Sequence, residues 1–348
     1  MQLYLDSFGA YLSVQNGMLA VRTRSGGTRL FALREVGAVL MTRGTALSAD
    51  AALLAAEHNI PLLLIDANTH FPLATLGSGR PGSISTVRKN QAVFARSADG
   101  FTWVAACIAR KIGRQRGLLQ RLTESPLPGQ AFHTALPDAD RILRGLEDEF
   151  GRWQSPARWD SESLDATAAR FRGQEGTASR VYFQLLALSL GEEAGFPGRQ
   201  KRPAYDPFNA LRNYLYGMLY TSVHLAMLKS GLDPHLGILH ADQYGATPTL
   251  VFDAIEPYRP WADEVAQRLV ANAEIDADTS FEPDAEERGL WLSGPGKSTA
   301  IDAMLGFLQT PAAYDDGRQV RRNAQIDLDA QKLAVFLRGW QGENIPYP

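Results

Sequence analysis

The hydrophobic period of this chain changes once, near residue 80, and that change limits the folds open to it. Before it, apolar and polar side chains alternate in short runs: Leu3-Tyr4-Leu5, Tyr11 to Val14, Leu19 to Arg22 and Arg29 to Leu33. Turn residues such as Asn16-Gly17 and Gly26-Gly27 separate the runs, so the spacing predicts a meander of β-hairpins. Ser48 opens a helical stretch through Leu53, Leu54 and His58, and strands are expected at Pro61 to Ile65 and Phe71 to Leu76. From Thr86 onward the period becomes helical, through Val93, Cys107 to Leu119, Ile142 to Phe150, Val181 to Leu190 and Leu211 to Leu228. The expected fold is therefore α+β. A small, mainly β domain (1–80) is joined by a short Gly/Ser/Pro linker (81–86) to a larger, mainly α-helical domain (87–338), with 339–348 as a loosely held tail.

Local signals sharpen parts of this outline. One helix has both ends marked, with Asp206 as N-cap, Pro207 at its first position and a stop near Gly231. Ser125 to Leu136 is expected to be a loop that caps or interrupts a long helical region. Gly294 to Thr299 (GPGKST) invites a phosphate-loop reading, but the motif needs a glycine where Trp291 stands, and no strand is expected to lead in. Ser298 or Thr299 is expected to start a helix over 301–308.

A chain of 348 residues with 45% hydrophobic and 21% charged side chains can bury a core, which excludes disordered and low-complexity classes. The single cysteine, Cys107, excludes an internal disulfide and a multi-cysteine zinc site. The N-terminus lacks a signal-peptide pattern and no apolar run could span a bilayer, so a cytoplasmic protein is expected. The net charge of −3 hides a segregated pattern. Arg80 to Arg121 carries nine basic residues against Asp99 alone, whereas 242–287 carries twelve acids against two arginines. The basic stretch suits either a phosphate backbone or a solvated helix face.

Four residues stand out for chemistry. Glu175 lies on the helical stripe of Ala178, Tyr182 and Leu185, and a carboxylate there needs a cation, a basic side chain or helix-start amides for company. Position alone favours the plainer explanation that it sits at the positive end of the helix dipole. His240 ends a short apolar run and alone says little. Asp253 and Glu256 are neighbours at i and i+3 if their segment is helical, and repel unless something positive intervenes. Two or three acids with one imidazole suit Mg2+ or Mn2+ better than zinc. Trp103 and Tyr182 could stack on bases, although aromatics on a helical stripe belong more often to a core.

Read together, the segments QEGTASRVYF, RPAYDPFNALRNYLYGMLY and GLDPHLGILHADQYGATPTLVFDAIEPYRP resemble the CRISPR-associated adaptation integrase family, also described as metal-dependent endonucleases. The resemblance spans nearly the whole chain and implies an N-terminal β domain, serving dimerisation, ahead of a helical catalytic domain. It implies metal ligands at Glu175, His240 and Glu256, with Asp253 as supporting ligand or orienting group. It also implies DNA contacts from Arg110, Lys111, Arg114 and Arg116, with Lys201 and Arg202 as further phosphate contacts. The implied activity is insertion of captured double-stranded DNA by 3′-hydroxyl attack on a repeat phosphodiester, by homodimers flanking a small ferredoxin-like companion subunit. The alternatives are a stand-alone nuclease or transposon-type integrase, and a DNA-binding scaffold without catalysis. Leu215 departs from the family where glycine is common, Gly113 where asparagine is common, and the loop at 125–136 looks longer than usual.

Overall fold

The computed structural model describes residues 1–24, 26–76, 84–125, 127–153, 163–191, 195–200, 204–240, 248–284 and 289–342. The strand-rich part runs β1 (Gln2–Leu5), β2 (Tyr11–Gln15), β3 (Met18–Arg22), β4 (Thr28–Phe31), β5 (Ala38–Met41), β6 (Ala46–Leu47), α1 (Ala49–Glu57), β7 (Leu62–Ile65) and β8 (Pro72–Leu76). Two four-stranded sheets result, in the orders β4-β3-β2-β6 and β1-β5-β7-β8. Asn16 (φ 53°) and Gly17 (φ 70°) make the β2–β3 turn, where both residues must adopt the left-handed conformation.

The expected meander holds only for β2, β3 and β4. The strand β1 pairs in parallel with β5, and β5 in parallel with β7. Parallel pairing needs a crossover, and α1 supplies one between β5 and β7, its first turn capped by Ser48 Oγ accepting from the Ala51 amide at 3.1 Å. Every residue of β5 is buried. Val39 and Met41 pack with Leu3, Leu5, Leu12, Leu19, Ala51 and Ala55, while Ala38 and Leu40 face Leu225 of the helical part. A strand covered on both faces shows an unbroken apolar run, which carries no sign of its pairing direction.

The helical part comprises α2 (Ile84–Phe94), α3 (Ala98–Leu122), α4 (Gln130–Arg152), α5 (Leu164–Leu190), α6 (Pro207–Lys229), α7 (Thr249–Ala254), α8 (Arg259–Ala271), α9 (Gly294–Gln309) and α10 (Arg322–Gly339). Two short hairpins interrupt it, β9 (Phe281–Pro283) with β10 (Leu290–Leu292) and β11 (Pro311–Ala313) with β12 (Gln319–Arg321). Among the described residues no helix is long and apolar enough to cross a membrane. At the start of α6, Asp206 accepts from the Asn209 amide at 2.8 Å, and the helix is then buried on almost every face as the centre of the bundle.

Three local expectations are corrected. The loop expected over 125–136 ends at Gly129, because Phe132 is fully buried and anchors the first turn of α4, which continues through Pro137. The helix expected from Ser298 or Thr299 starts at Gly294, where Ser293 caps and Pro295 fits the first turn. A Cβ on Gly296 would stand 2.1 Å from the Ser280 carbonyl oxygen, so this glycine is a packing residue. The strand β10 does lead into that helix, yet the glycine spacing still excludes a phosphate loop. Residues 77–83 and 343–348 lie outside the described set, 84–86 are already helical, and Trp340 Nε1 donates to Asp99 at 2.8 Å.

The two parts meet where Asn68, Thr69 and His70 land on the bundle. A Cβ on Gly217 would be 1.9 Å from the Thr69 carbonyl oxygen, so only glycine permits this approach to α6. Thr221 Oγ1 donates to the His70 carbonyl at 2.5 Å, and Lys297 Nζ donates to Asn68 Oδ1 at 2.7 Å.

Candidate metal centre

The segment carrying His240 is built around Asp253. A Cβ on Gly237 would collide with Thr249, whose hydroxyl accepts from the Gly237 amide at 3.1 Å and donates to the His235 carbonyl at 2.7 Å. The chain therefore lies flat on the start of α7. Asp253 Oδ2 accepts from the amides of Ile238 (2.7 Å) and Leu239 (3.2 Å), and its Oδ1 meets His240 Nδ1 at 2.6 Å. With both oxygens engaged and its side chain fully buried, Asp253 holds the orientation of the imidazole. Burial pulls the His240 pKa down, but the Asp253 carboxylate outweighs it and the net shift is upward. Nε2 is left as the free ring nitrogen, the arrangement in which a metal-ligating histidine is held by a carboxylate behind it.

Glu256 follows α7 in a 3-10 turn, Glu256–Tyr258. Its Oε1 accepts from Arg259 Nε at 2.7 Å, and its Oε2 lies 2.7 Å from Lys111 Nζ. Burial alone would raise its pKa; Arg259 and Lys111 reverse that and hold the carboxyl far below the usual carboxylate range. Glu175, mid-way along α5, is bound through Oε1 by the ammonium of Lys111 and by the Ser179 hydroxyl at 2.9 Å. These contacts also outweigh burial and keep its pKa low. Glu175 and His240 retain 27% and 24% side-chain exposure against 8% for Glu256, so the cluster opens to solvent on their side.

The donor set suits a hard divalent cation: two carboxylates held ionised and an imidazole with one nitrogen free. Glu256 Oε2 is buried and its one contact is the Lys111 ammonium at 2.7 Å, so a cation that displaced the ammonium would find a lone pair there. As they lie, no three His, Cys, Asp or Glu side chains among the described residues are grouped to hold one ion. The Lys111 ammonium stands between two of the three proposed ligands.

A family model described as CRISPR associated protein Cas1 matches residues 3–305. The chain belongs to the Cas1 family. A relative from Archaeoglobus fulgidus, named CRISPR-associated endonuclease Cas1 1, is 28% identical over 97% of this chain and 97% of its own length. A relative of the same name from Thermus thermophilus is 27% identical over 100% of this chain and 99% of its own. Among solved structures, a Cas1 protein from Thermotoga maritima superposes with a TM-score of 0.74 at 19% identity, covering 98% of each chain. A casposase bound to integration product gives 0.76 at 19%, over 98% of this chain and 92% of the other. At these identities the likeness shows a shared Cas1 fold. The match ends at residue 305, yet α10, beyond it, supports the site: Asp329 accepts from the Tyr258 hydroxyl, and Gln325 from Arg114 at 3.4 Å.

The four basic residues of α3 are placed differently from the Cas1-based expectation of DNA contacts. Lys111 is 3% exposed, inside the carboxylate cluster. Arg110 pairs with Asp329 at 3.0 Å, and Arg116 with Asp140 at 2.9 Å and Glu147 at 2.6 Å. Arg114 donates to the Pro257 carbonyl at 2.8 Å, its guanidinium lying 4.6 Å from the Trp261 ring. All four are thus engaged within the protein, because α4, α5, the acidic stretch and α10 fold onto α3. Lys201 and Arg202 lie outside the described residues.

Other basic residues, which sequence reasoning missed, stand near the carboxylates. The exposed Arg172 and Arg180 flank Glu175 on α5, and Arg172 donates to the Leu239 carbonyl beside His240 at 3.3 Å. A cleft of about 1150 Å³ starts at Ser179, the partner of Glu175, and is lined by Arg180, Phe183, Phe196 and Arg199. A signal for Lys111 was present, since it shares the stripe of Ile108, Ile112 and Gln115, and a lysine there must find a buried anion.

Proposed function

We propose that this chain is a metal-dependent DNA integrase and endonuclease of CRISPR adaptation, joining captured double-stranded DNA to a CRISPR repeat. The observation that carries this is the convergence of Glu175 and Glu256 on one cationic position beside a histidine oriented by Asp253. The names of the Cas1 relatives, all endonucleases, and a neighbour bound to integration product support it. Glu175, Glu256 and His240 Nε2 would hold one Mg2+ or Mn2+. Bound there, the cation supplies neutralisation of charge developing on the reacting phosphate.

The protein groups then have separable tasks. Asp253 fixes the ring of His240 through Nδ1, which leaves Nε2 as the nitrogen that would bind the ion. Arg259 keeps Glu256 ionised and in place. Arg180 and Arg199 hold phosphates along the cleft. The attacking 3′-hydroxyl forms one P–O bond as another breaks, so no side chain acts as nucleophile and alignment is the main demand on the protein. Water in place of the hydroxyl gives hydrolysis at the same centre.

We further propose action as a homodimer with a small ferredoxin-like companion. A solved Cas6-RT-Cas1–Cas2 complex contains a chain that covers 99% of this one with a TM-score of 0.74, which supports a Cas2-type partner. The casposase likeness favours a second reading, a transposon-type integrase with no companion. Both are tested with a labelled duplex and a repeat-bearing plasmid. Strand transfer is expected to need Mn2+ or Mg2+ and to vanish in Glu175→Gln while DNA binding survives. Full activity in that variant would leave a DNA-binding scaffold as the better description, and equal insertion without the companion would favour the transposon-type reading.

A further inference from the structure

Lys111 answers no requirement of the proposed ligand set, and it sits in the middle of it. It lies on the buried stripe of α3 with Ile108, Ile112 and Gln115, and its side chain is 3% exposed. It donates a hydrogen bond to Glu175 Oε1 and pairs with Glu256 Oε2 at 2.7 Å. The cluster as a whole holds three carboxylates, Glu175, Asp253 and Glu256, against two fixed cations, Lys111 and Arg259. Without Lys111 two negative charges would be left in excess, which a partly buried site tolerates poorly.

We infer that Lys111 is a resident placeholder for the divalent cation: in the metal-free protein its ammonium bridges Glu175 and Glu256, and it must withdraw from Glu256 for an ion to be held. This rests on the ligand assignment proposed above. Glu256 is the side that can be released, because Arg259 still satisfies its other oxygen. Two consequences follow. The ammonium stabilises the site when empty, and it opposes the ion by direct competition and by like charge at close range. Affinity for the ion is therefore set below what the same ligands would give unopposed.

The test is calorimetric titration of MnCl2 into the full chain without DNA at pH 7.5, together with melting temperatures in EDTA and in Mn2+. Lys111→Met is expected to bind Mn2+ at least tenfold more tightly than the unaltered protein, to melt lower in EDTA, and to gain more from Mn2+. Lys111→Arg keeps the charge and is expected to bind no more tightly than the unaltered protein. If Lys111→Met does not fold, Lys111→Gln carries the same expectation with a neutral side chain that can still donate to the carboxylates. Equal or weaker Mn2+ binding by the neutral variants, with binding still abolished by Glu175→Gln, would overturn the placeholder role and leave the ligand assignment standing. Binding that ignores Glu175→Gln, or no binding in any variant, would remove the ligand assignment and the inference with it.

Discussion

Asp263 stands seven positions after Glu256, and the two buried carboxylates are satisfied in opposite ways. Asp263 is sealed: Tyr182 and Tyr216 hydroxyls donate to it at 3.0 and 2.8 Å, and the fully buried Arg212 stands near, stacked 4.6 Å from Phe183. Burial dominates there and pushes its carboxyl up. Glu256 is matched by two cations, is held strongly ionised, and adjoins Glu175 and His240, which reach solvent. A carboxylate closed by neutral hydroxyls in a sealed pocket is part of the core. One matched by an ammonium that a second carboxylate shares can exchange that partner. The same contrast separates His70, buried with neither ring nitrogen hydrogen-bonded among the described residues, from His240, half-buried and oriented by Asp253.

Exchanging the two carboxylates for amides should separate the roles. Glu256→Gln is expected to lower Mn2+-dependent strand transfer by roughly three orders of magnitude with a modest change in melting temperature, measured by single-turnover kinetics and calorimetry. Asp263→Asn should do the reverse. It takes an acceptor from the two tyrosines and an anion from Arg212, for a loss of about 3 kcal/mol in urea unfolding, with Mn2+ affinity unchanged. If both variants lost metal binding alike, the sealed and open clusters would be one functional unit.

The histidines sharpen the contrast through pH. Burial pushes His70 and His224 down to about 4. Above pH 6.5 each is neutral folded or unfolded and nothing is lost. As pH falls from 6.5 toward 4, the unfolded chain takes up protons that the folded one refuses, so stability declines, by about 3 kcal/mol for His70. His70→Phe should therefore flatten the loss of stability between pH 6.5 and 4, read from unfolding midpoints, while His224 retains its share. An unchanged slope would mean that the pocket admits the proton. The smallest effect belongs to Asp253→Asn, which keeps the shape and removes the charge behind His240. Mn2+ affinity and turnover should fall by about 10–100-fold, with the DNA dissociation constant unmoved.

Much of this contrast was legible in the sequence where local chemistry decides. Asp206-Pro207 marked the start of α6, Asn16-Gly17 the β2–β3 turn, and the stripe of Glu175 demanded a buried partner. What was not legible depended on which distant segments meet. The basic stretch of α3 looked like a DNA face because a charge count does not name partners. In the fold its counter-charges come from α4, α5, the acids of 242–287 and α10: Arg116 meets Asp140 and Glu147, Lys111 meets Glu175 and Glu256, Arg121 meets Glu264 at 2.7 Å, and Arg110 meets Asp329. Arg259 escaped notice although it stands three residues after Glu256, because attention to the two acids at i and i+3 passed over the cation one turn further on. The parallel pairing of β1, β5 and β7 was hidden for a similar reason, since a strand covered on both faces has no alternation to read.

Diffraction from crystals soaked in MnCl2, recorded for the anomalous signal of manganese, tests the central claim most directly. The account predicts one peak about 2.1 Å from an oxygen of Glu175, an oxygen of Glu256 and Nε2 of His240, with the Lys111 ammonium drawn back from Glu256. A peak on other side chains, or none while Lys111 still bridges the two carboxylates at saturating Mn2+, would contradict it.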